Sequence, residues 1–319
     1  MTRIGSSDLD VFPLNLGGNT FGWTSDTSTS EAVLDAFLAG GGNFIDTADA
    51  YSAWVPGNSG GESETIIGAW IKARGNRSKV VIATKVSQHP EFKGLSAANI
   101  AAAADASLAR LQSEYIDLYY AHFDDQTPMA EIAGAFDALV RAGKVRYVGI
   151  SNFSGERVEE WMSVAAKEGF ALPIALQPNY NLVHREPYET EFAPVVAKHA
   201  LGVLPYYSLA SGFLTGKYRT EADLAGKARA TGAGQYLNDR GLAIIGELES
   251  ISTVHHASIA STALAWLRAQ PGVVAPIASA STVSQLSDLL SLVELTHIDV
   301  ELLDNVSAPG AHSDAAGNS

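Results

Sequence analysis

Eight short apolar runs recur along this chain, each separated from the next by a stretch that is long enough to hold a helix. They lie at 14–18, 43–46, 80–85, 116–122, 145–151, 174–177, 202–206 and 273–277. Several are unbroken, as expected of strands buried on both faces of a parallel sheet. The intervening stretches carry helical spacing. Residues 30–39 place Val33, Leu34, Phe37 and Leu38 on one face and stop at Gly40-Gly41-Gly42. Residues 96–111 align Ile100, Ala104, Ser107, Leu108 and Leu111, and further helices are expected at 129–142, 154–167 and 259–269. This alternation predicts the α/β class: a single (β/α)8 TIM barrel with an N-terminal β-hairpin and long βα loops. The expected domain is 1–308, followed by a small, polar, disordered tail at 309–319. An open doubly wound sheet is the alternative. When such a sheet binds a dinucleotide it usually carries G-x-G-x-x-G after its first strand. That pattern does not occur here, and Gly17-Gly18-Asn19 reads as a turn.

Charge and composition narrow the function classes. There are 21 basic and 35 acidic residues, a net charge of −14 at pH 7. Such a field repels a phosphate backbone, so no nucleic-acid partner is expected, although a locally basic pocket can still take a small anion. No cysteine is present, which excludes disulfides, thiolate metal sites and cysteine nucleophiles. No apolar run reaches the roughly 18 residues of a membrane span. Met1-Thr2-Arg3-Ile4-Gly5 does not open a signal peptide, so a cytoplasmic protein is expected.

Barrel chemistry sits where strands end and βα loops begin. Asp46, Lys85, His122, Ser151-Asn152 and Gln177 stand at such ends, with Tyr51 in the loop after Asp46. Charged groups there are costly unless they pair, and Asp46 and Lys85 are the natural pair. From spacing alone that pair reads first as a structural salt bridge, Tyr51 as a loop residue and His122 as a strand-end residue. Their coincidence at one face of the barrel favours a site. Two stretches, 52–62 and 218–240, exceed what a connection needs and read as lids or disordered loops. No cluster has metal-ligand spacing, so no metal is expected; Asp124-Asp125 reads as a solvated loop.

Five segments in order carry a resemblance. They are residues 44–51 (FIDTADAY) with 61–64 (GESE), 108–111 (LARL) with 115–119 (YIDLY) and His122, 143–153 (GKVRYVGISNF), 177–182 (QPNYNL) and 209–218 (LASGFLTGKY). Over about residues 3–295 the chain resembles the aldo-keto reductases. The resemblance implies a (β/α)8 barrel, a nicotinamide cofactor held without a Rossmann domain, and reduction of an aldehyde, ketone or keto-sugar to an alcohol. It places Asp46, Tyr51, Lys85 and His122 on the family's catalytic tetrad. Hydride delivery to a carbonyl builds negative charge on oxygen, which needs a proton and a fixed donor. Tyr51 is the expected donor. Its phenol, with an ordinary pKa of about 10, is expected to be made more acidic by the Lys85 ammonium, which Asp46 orients.

The cofactor residues implied are Gly18, Asn19 and Asp46 beside the nicotinamide, Ser151, Asn152 and Gln177 for its carboxamide, and Tyr206 for stacking. Tyr207, Ser208, Leu209, Ser211 and Gly212 with Lys217 are expected at the diphosphate, and Ser279, Ser281, Gln285 and Asp288 at the adenosine end. NADPH is expected, with NADH as the alternative, because many relatives carry arginine where Ser281 stands; Arg229 is the candidate to supply that charge. Trp23, Trp54, His89 and Phe123 are expected to line the substrate pocket with Tyr51 and His122. The rival reading is a cofactor-binding regulatory module on the same barrel, resembling potassium-channel beta subunits.

Overall fold

A computed structural model describes residues 1–310. Eight strands make one sheet: β1 (Asn15–Gly17), β2 (Phe44–Asp46), β3 (Val81–Val86), β4 (Ile116–Ala121), β5 (Val145–Ser151), β6 (Pro173–Gln177), β7 (Gly202–Val203) and β8 (Ile277–Ala278). Each pairs in parallel with its neighbour in sequence from β1 to β7. β8 returns to β1 through Ile277↔Asn15 and Ala278↔Leu16. The ring closes between β7 and the approach to β8 at the bridge Val203↔Val273, where Val203 N donates to Gly272 O and Val274 N to Val203 O. The sheet is therefore the expected (β/α)8 barrel.

β7 stops short of the apolar run 202–206, and β8 shares only Ile277 with the run 273–277. Pro205 and Pro276 lack the N–H that a ladder needs, so regular pairing breaks at each. Single bonds take over, including Ile277 N to Pro205 O and Tyr206 N to Pro178 O. Their short side-by-side stretch leaves Tyr206 and its successors free to turn into the loop above the barrel.

The helices on the outer face are α1 (Thr27–Ala39), α2 (Glu62–Arg74), α3 (Ala97–Leu111), α4 (Met129–Arg141), α5 (Gly155–Glu168), α6 (Ala193–His199), α7 (Asp239–Val254), α8 (Ile259–Ala269), α9 (Val283–Leu290) and α10 (His297–Ser307). Ser96, Ser154 and Ser258 cap α3, α5 and α8 through side-chain bonds to the amides three residues on. The first helix begins three residues earlier than its apolar face suggests. Asp26 is its cap, accepting from Thr29 N, so Thr27, Ser28 and Thr29 form a polar first turn.

Packing shuts one end of the barrel. Phe44, Ala83, Leu118, Tyr120, Ala175, Leu204 and Ala275 fill the interior, and Ile4, Leu9 and Val11 join them from below. Those three belong to the N-terminal hairpin, in which Thr2–Arg3 pairs antiparallel with Asp10–Val11. A larger cluster, including buried Trp70, Trp161 and Trp266, fills the space between sheet and helices. Chemistry is left to the other end, where the strands finish.

Two loop expectations are refined. Asp125 is exposed, as a solvated loop requires, but Asp124 is largely covered and accepts from Arg157 Nε at 2.8 Å and Nη2 at 3.0 Å. The 218–240 stretch is not structureless: it holds a 3-10 turn at Glu221–Leu224 and a short helix at Ala230–Gly234. Of the expected tail, residues 311–319 lie outside the described residues.

Candidate active site

Lys85 is the centre of the site. It sits next to last on β3, fully buried, and its ammonium donates to Asp46 Oδ2 at 2.6 Å, Thr47 O at 2.7 Å and Tyr51 Oη at 2.9 Å. An ammonium has three protons, and all three are used. The phenol oxygen is thus an acceptor here, and its own proton is free for another partner. Within the protein the available acceptor is Asp46 Oδ2, at a long 3.4 Å. Asp46 ends β2 and is turned toward Lys85 by a second bond, from Gln177 Nε2 to Oδ1 at 2.8 Å. Gln177 ends β6 across the barrel, and its carbonyl accepts from Ser151 Oγ at 2.9 Å.

Burial sets the protonation states. It pushes the Tyr51 phenol well above its ordinary value, and the Asp46 carboxylate adds to the rise. The expectation of a more acidic phenol is therefore corrected: burial, joined by the Asp46 charge, keeps the proton on Tyr51. Burial also lowers Lys85, against the pull of Asp46. His122, one residue past β4, is driven well below its ordinary value by burial and then by the Lys85 charge, so its ring is neutral. Its ring lies edge-on to Tyr51 at 6.3 Å between centroids. His122 Nδ1 is buried and without a hydrogen-bond partner among the described residues.

Around this centre stand aromatic rings. Trp54 meets Tyr51 at 6.2 Å and Trp23 at 5.7 Å, and Phe123 stacks beside His122 at 4.9 Å. One buried cation and one carboxylate thus meet the Tyr51 phenol, with the rings of His122 and Trp54 beside it.

A model of the aldo/keto reductase family matches residues 13–308. The chain belongs to this family. Family relatives span almost all of it. The "Uncharacterized oxidoreductase YrpG" of Bacillus subtilis is 34% identical, over 99% of this chain and 98% of that protein. A "Probable voltage-gated potassium channel subunit beta" of Arabidopsis thaliana is 32% identical over 95% of each. "Protein tas" of Escherichia coli is 32% identical over 93% of each. Membership gives the coarse class, an oxidoreductase on an α/β barrel.

The other residues expected of an aldo/keto reductase fall into three groups. Asn152 stands in the left-handed region (φ 52°), donates from Nδ2 to His122 O and Ser151 Oγ, and accepts from Tyr206 Oη at 2.7 Å. Ser151, Asn152, Gln177 and Tyr206 therefore form one hydrogen-bonded strip beside the tetrad. The second group is the turn after β7. Tyr207, Ala210, Ser211 and Gly212 all have positive φ (53°, 47°, 57° and 91°). Three L residues in that region mark stored strain; Ala210, Ser211 and Gly212 are left-handed in succession, and the amides of Ala210 and Gly212 close the turn on Tyr207 O and Leu209 O. Lys217 Nζ would lie 3.3 Å from a Cβ on Gly212, so the cation borders this turn. Arg229 lies over the Trp23 ring at 5.8 Å. Among the described residues Lys217, Lys227 and Arg229 form no ion pair; burial and mutual repulsion depress Lys217. A strained turn lined by unpaired cations suits an anion.

The third group holds the remaining residues, of which His89 alone was expected to line the pocket beside Tyr51 and does not reach it. His89 is buried, accepts from Glu91 N at 3.1 Å and packs on Phe92; with Arg110 and Glu91 it lines an open cavity of about 530 Å³ beside Gly60. Ser208 is buried and spends its hydroxyl on Pro205 O. Leu209 packs against the core. At the outer end Ser279 Oγ donates to Asn19 Oδ1 at 2.6 Å, Ser281 meets Thr24 Oγ1 at 2.8 Å, and Gln285 Oε1 accepts Ser281 N at 2.9 Å. Asp288 accepts from Ser261 Oγ through its backbone carbonyl. Gly18 lies against Ser63 and the Asp46 carbonyl, so a Cβ there would meet Ser63 Oγ at 2.8 Å.

Sequence reasoning passed over a buried cluster behind Lys85. Glu64, fully buried on α2, accepts from Thr84 Oγ1 at 2.5 Å and Arg110 Nε at 2.6 Å. Asp49 is buried beside it. Neither carboxyl oxygen has a hydrogen bond of normal geometry, although the Ser87 and Ala50 amides lie alongside. Burial, with the Glu64 charge, pushes Asp49 up to about 8. Both residues sit in segments that carried the resemblance, but their partner Arg110 is 46 positions from Glu64.

Proposed function

We propose that this protein reduces an aldehyde, ketone or keto-sugar to the alcohol with NADPH, Tyr51 giving the proton. The observation that carries this reading is the Lys85 ammonium at 2.9 Å from the Tyr51 phenol, with its two other protons engaged by Asp46 and Thr47. A bound dihydronicotinamide would supply the hydride. The chain's own residues do the rest. Tyr51 holds its proton at rest, because burial opposes the phenolate. A carbonyl oxygen that gathers negative charge within reach of Oη takes that proton, and Lys85 stabilises the phenolate left behind. Asp46 keeps the ammonium aimed and balances its charge. Neutral His122 orients the carbonyl by a hydrogen bond; a charged imidazolium would compete as acid. General acid catalysis of this kind contributes about 10²–10⁴-fold.

Ser151, Asn152 and Gln177 suit a carboxamide, Tyr206 a ring face, and the 207–212 turn with Lys217 a diphosphate. Arg229 and Ser281, just before the cap of α9, are where a 2′-phosphate would fall, the helix N-terminus favouring negative charge. Trp23, Trp54 and Phe123 make the pocket wall, suited to a flat or apolar carbonyl compound.

The name of the Arabidopsis relative favours one second reading, a cofactor-binding regulatory module. Quenching of tryptophan fluorescence by NADPH, followed by cofactor oxidation with a panel of aldehydes and ketones, separates the two. Binding with turnover supports the reductase. Binding without turnover on any carbonyl supports the module, and absence of binding overturns both.

A further inference from the structure

The phenol of Tyr51 is fixed by Lys85, but its backbone lies in the long loop after β2. The residue that follows it, Ser52, is fully buried and has φ 72°. An L side chain is strained there and a glycine is not. The serine hydroxyl is fully used: Oγ donates to Phe21 O at 2.7 Å. The Ser52 carbonyl accepts from Asn58 Nδ2 at 3.1 Å, and the same nitrogen reaches Gly22 O at 3.1 Å. Two polar ties therefore cross from the Tyr51 loop to the 21–22 turn. Trp23 follows that turn directly and meets Trp54 edge-to-face. A glycine at position 52 would satisfy the turn more easily, so backbone geometry does not explain the serine. Its hydroxyl does something else.

We infer that Ser52, with Asn58, is a positioning clamp: it locks the loop carrying Tyr51 to the turn carrying Trp23, so that the proton donor and the tryptophan wall are set as one unit. The inference rests on Tyr51 as the proton donor. Neither clamp residue touches the reacting atoms. Each acts through the placement of the phenol over the carbonyl, to which proton transfer is sensitive at the level of an ångström.

The test compares Ser52→Gly, Ser52→Ala and Asn58→Ala with wild type and Tyr51→Phe. It reads melting temperature, NADPH affinity by fluorescence, kcat, KM for the carbonyl, and the solvent deuterium isotope effect on kcat. Ser52→Gly loses the hydroxyl but sheds the strain, whereas Ser52→Ala keeps the strain. Ser52→Gly is therefore expected to melt close to wild type and above Ser52→Ala. All three variants are expected to lose kcat by about ten- to hundredfold with a larger solvent isotope effect, while NADPH affinity and KM hold within about twofold. A Ser52→Gly enzyme with wild-type kcat and isotope effect, beside an inactive Tyr51→Phe, overturns the clamp alone. A Tyr51→Phe enzyme that turns over like wild type overturns the donor reading and the clamp with it.

Discussion

Replacing Lys85 with methionine keeps the length of the side chain and removes its charge. The side chain is 0% exposed and its partner Asp46 1%, so solvent cannot take over the lost pairing. Asp46 would be left as a buried carboxylate, held by Gln177 Nε2. Removing one partner of a buried ion pair costs about 3–5 kcal/mol. Thr47 O also loses its donor from Lys85, at about 1 kcal/mol more. Lys85→Met is thus expected to be destabilised by about 4–6 kcal/mol in urea unfolding followed by tryptophan fluorescence. The double variant Lys85→Met/Asp46→Asn removes the stranded charge and leaves an acceptor for Gln177. It should recover about 2 kcal/mol or more of that loss, the non-additivity expected of residues in contact. Carbonyl reduction should not recover, because neither variant has an ammonium beside the phenol; both are expected to fall by about 10²–10⁴ in kcat. A single variant as stable as wild type, or a double variant no more stable than the single, refutes the buried-pair reasoning. Wild-type turnover by Lys85→Met refutes the role of the ammonium in catalysis.

Two further outcomes follow from the same geometry. Asp49 carries a proton in the folded protein up to about pH 8, whereas its ordinary value is 3.8. Its contribution to stability is therefore full below pH 3.8 and is lost as the pH rises to about 8. Asp49→Asn cannot ionise, so its stability relative to wild type should climb across that window by up to roughly 1.4 kcal/mol per pH unit; a pH-independent difference in urea unfolding contradicts this. Ser281 stands one residue before Thr282, the cap of α9, and brings no charge. Ser281→Arg is expected to raise the ratio of kcat/KM for NADPH over NADH by about tenfold or more, the scale of one charged hydrogen bond. An unchanged ratio removes this end of α9 from 2′-phosphate recognition.

How far the sequence alone could be read has a physical explanation. Strands β2 to β6 were legible because each apolar run ends on a polar residue that the barrel needs at its rim, such as Asp46, Lys85 or Gln177. β7 was drawn too long and β8 too early because hydropathy does not register the donors missing at Pro205 and Pro276. The start of α1 was missed because Thr27, Ser28 and Thr29 interrupt the apolar period, and the capping role of Asp26 is visible only through its bond to Thr29 N. At the site, the residue types at strand ends pointed to Lys85 and its partners. The position of His89 was not legible, since the same strand end can send a ring inward or, as here, under Gly60. Nor was the strain at Ser52. A serine gives no sign of a left-handed backbone, and its acceptor, Phe21 O, lies 31 residues away in another loop. The acidity of the phenol was misjudged for a different reason. Sequence shows the cation but not the depth of burial, and burial is the larger effect on Tyr51.

The central claim is that the phenol of Tyr51 delivers the proton. It is tested most directly by Tyr51→Phe, with NADPH affinity and carbonyl-dependent cofactor oxidation measured on the same sample. The variant is expected to bind NADPH within about twofold of wild type and to lose kcat by about 10²–10⁴. Turnover equal to wild type, with the cofactor bound, would contradict the account.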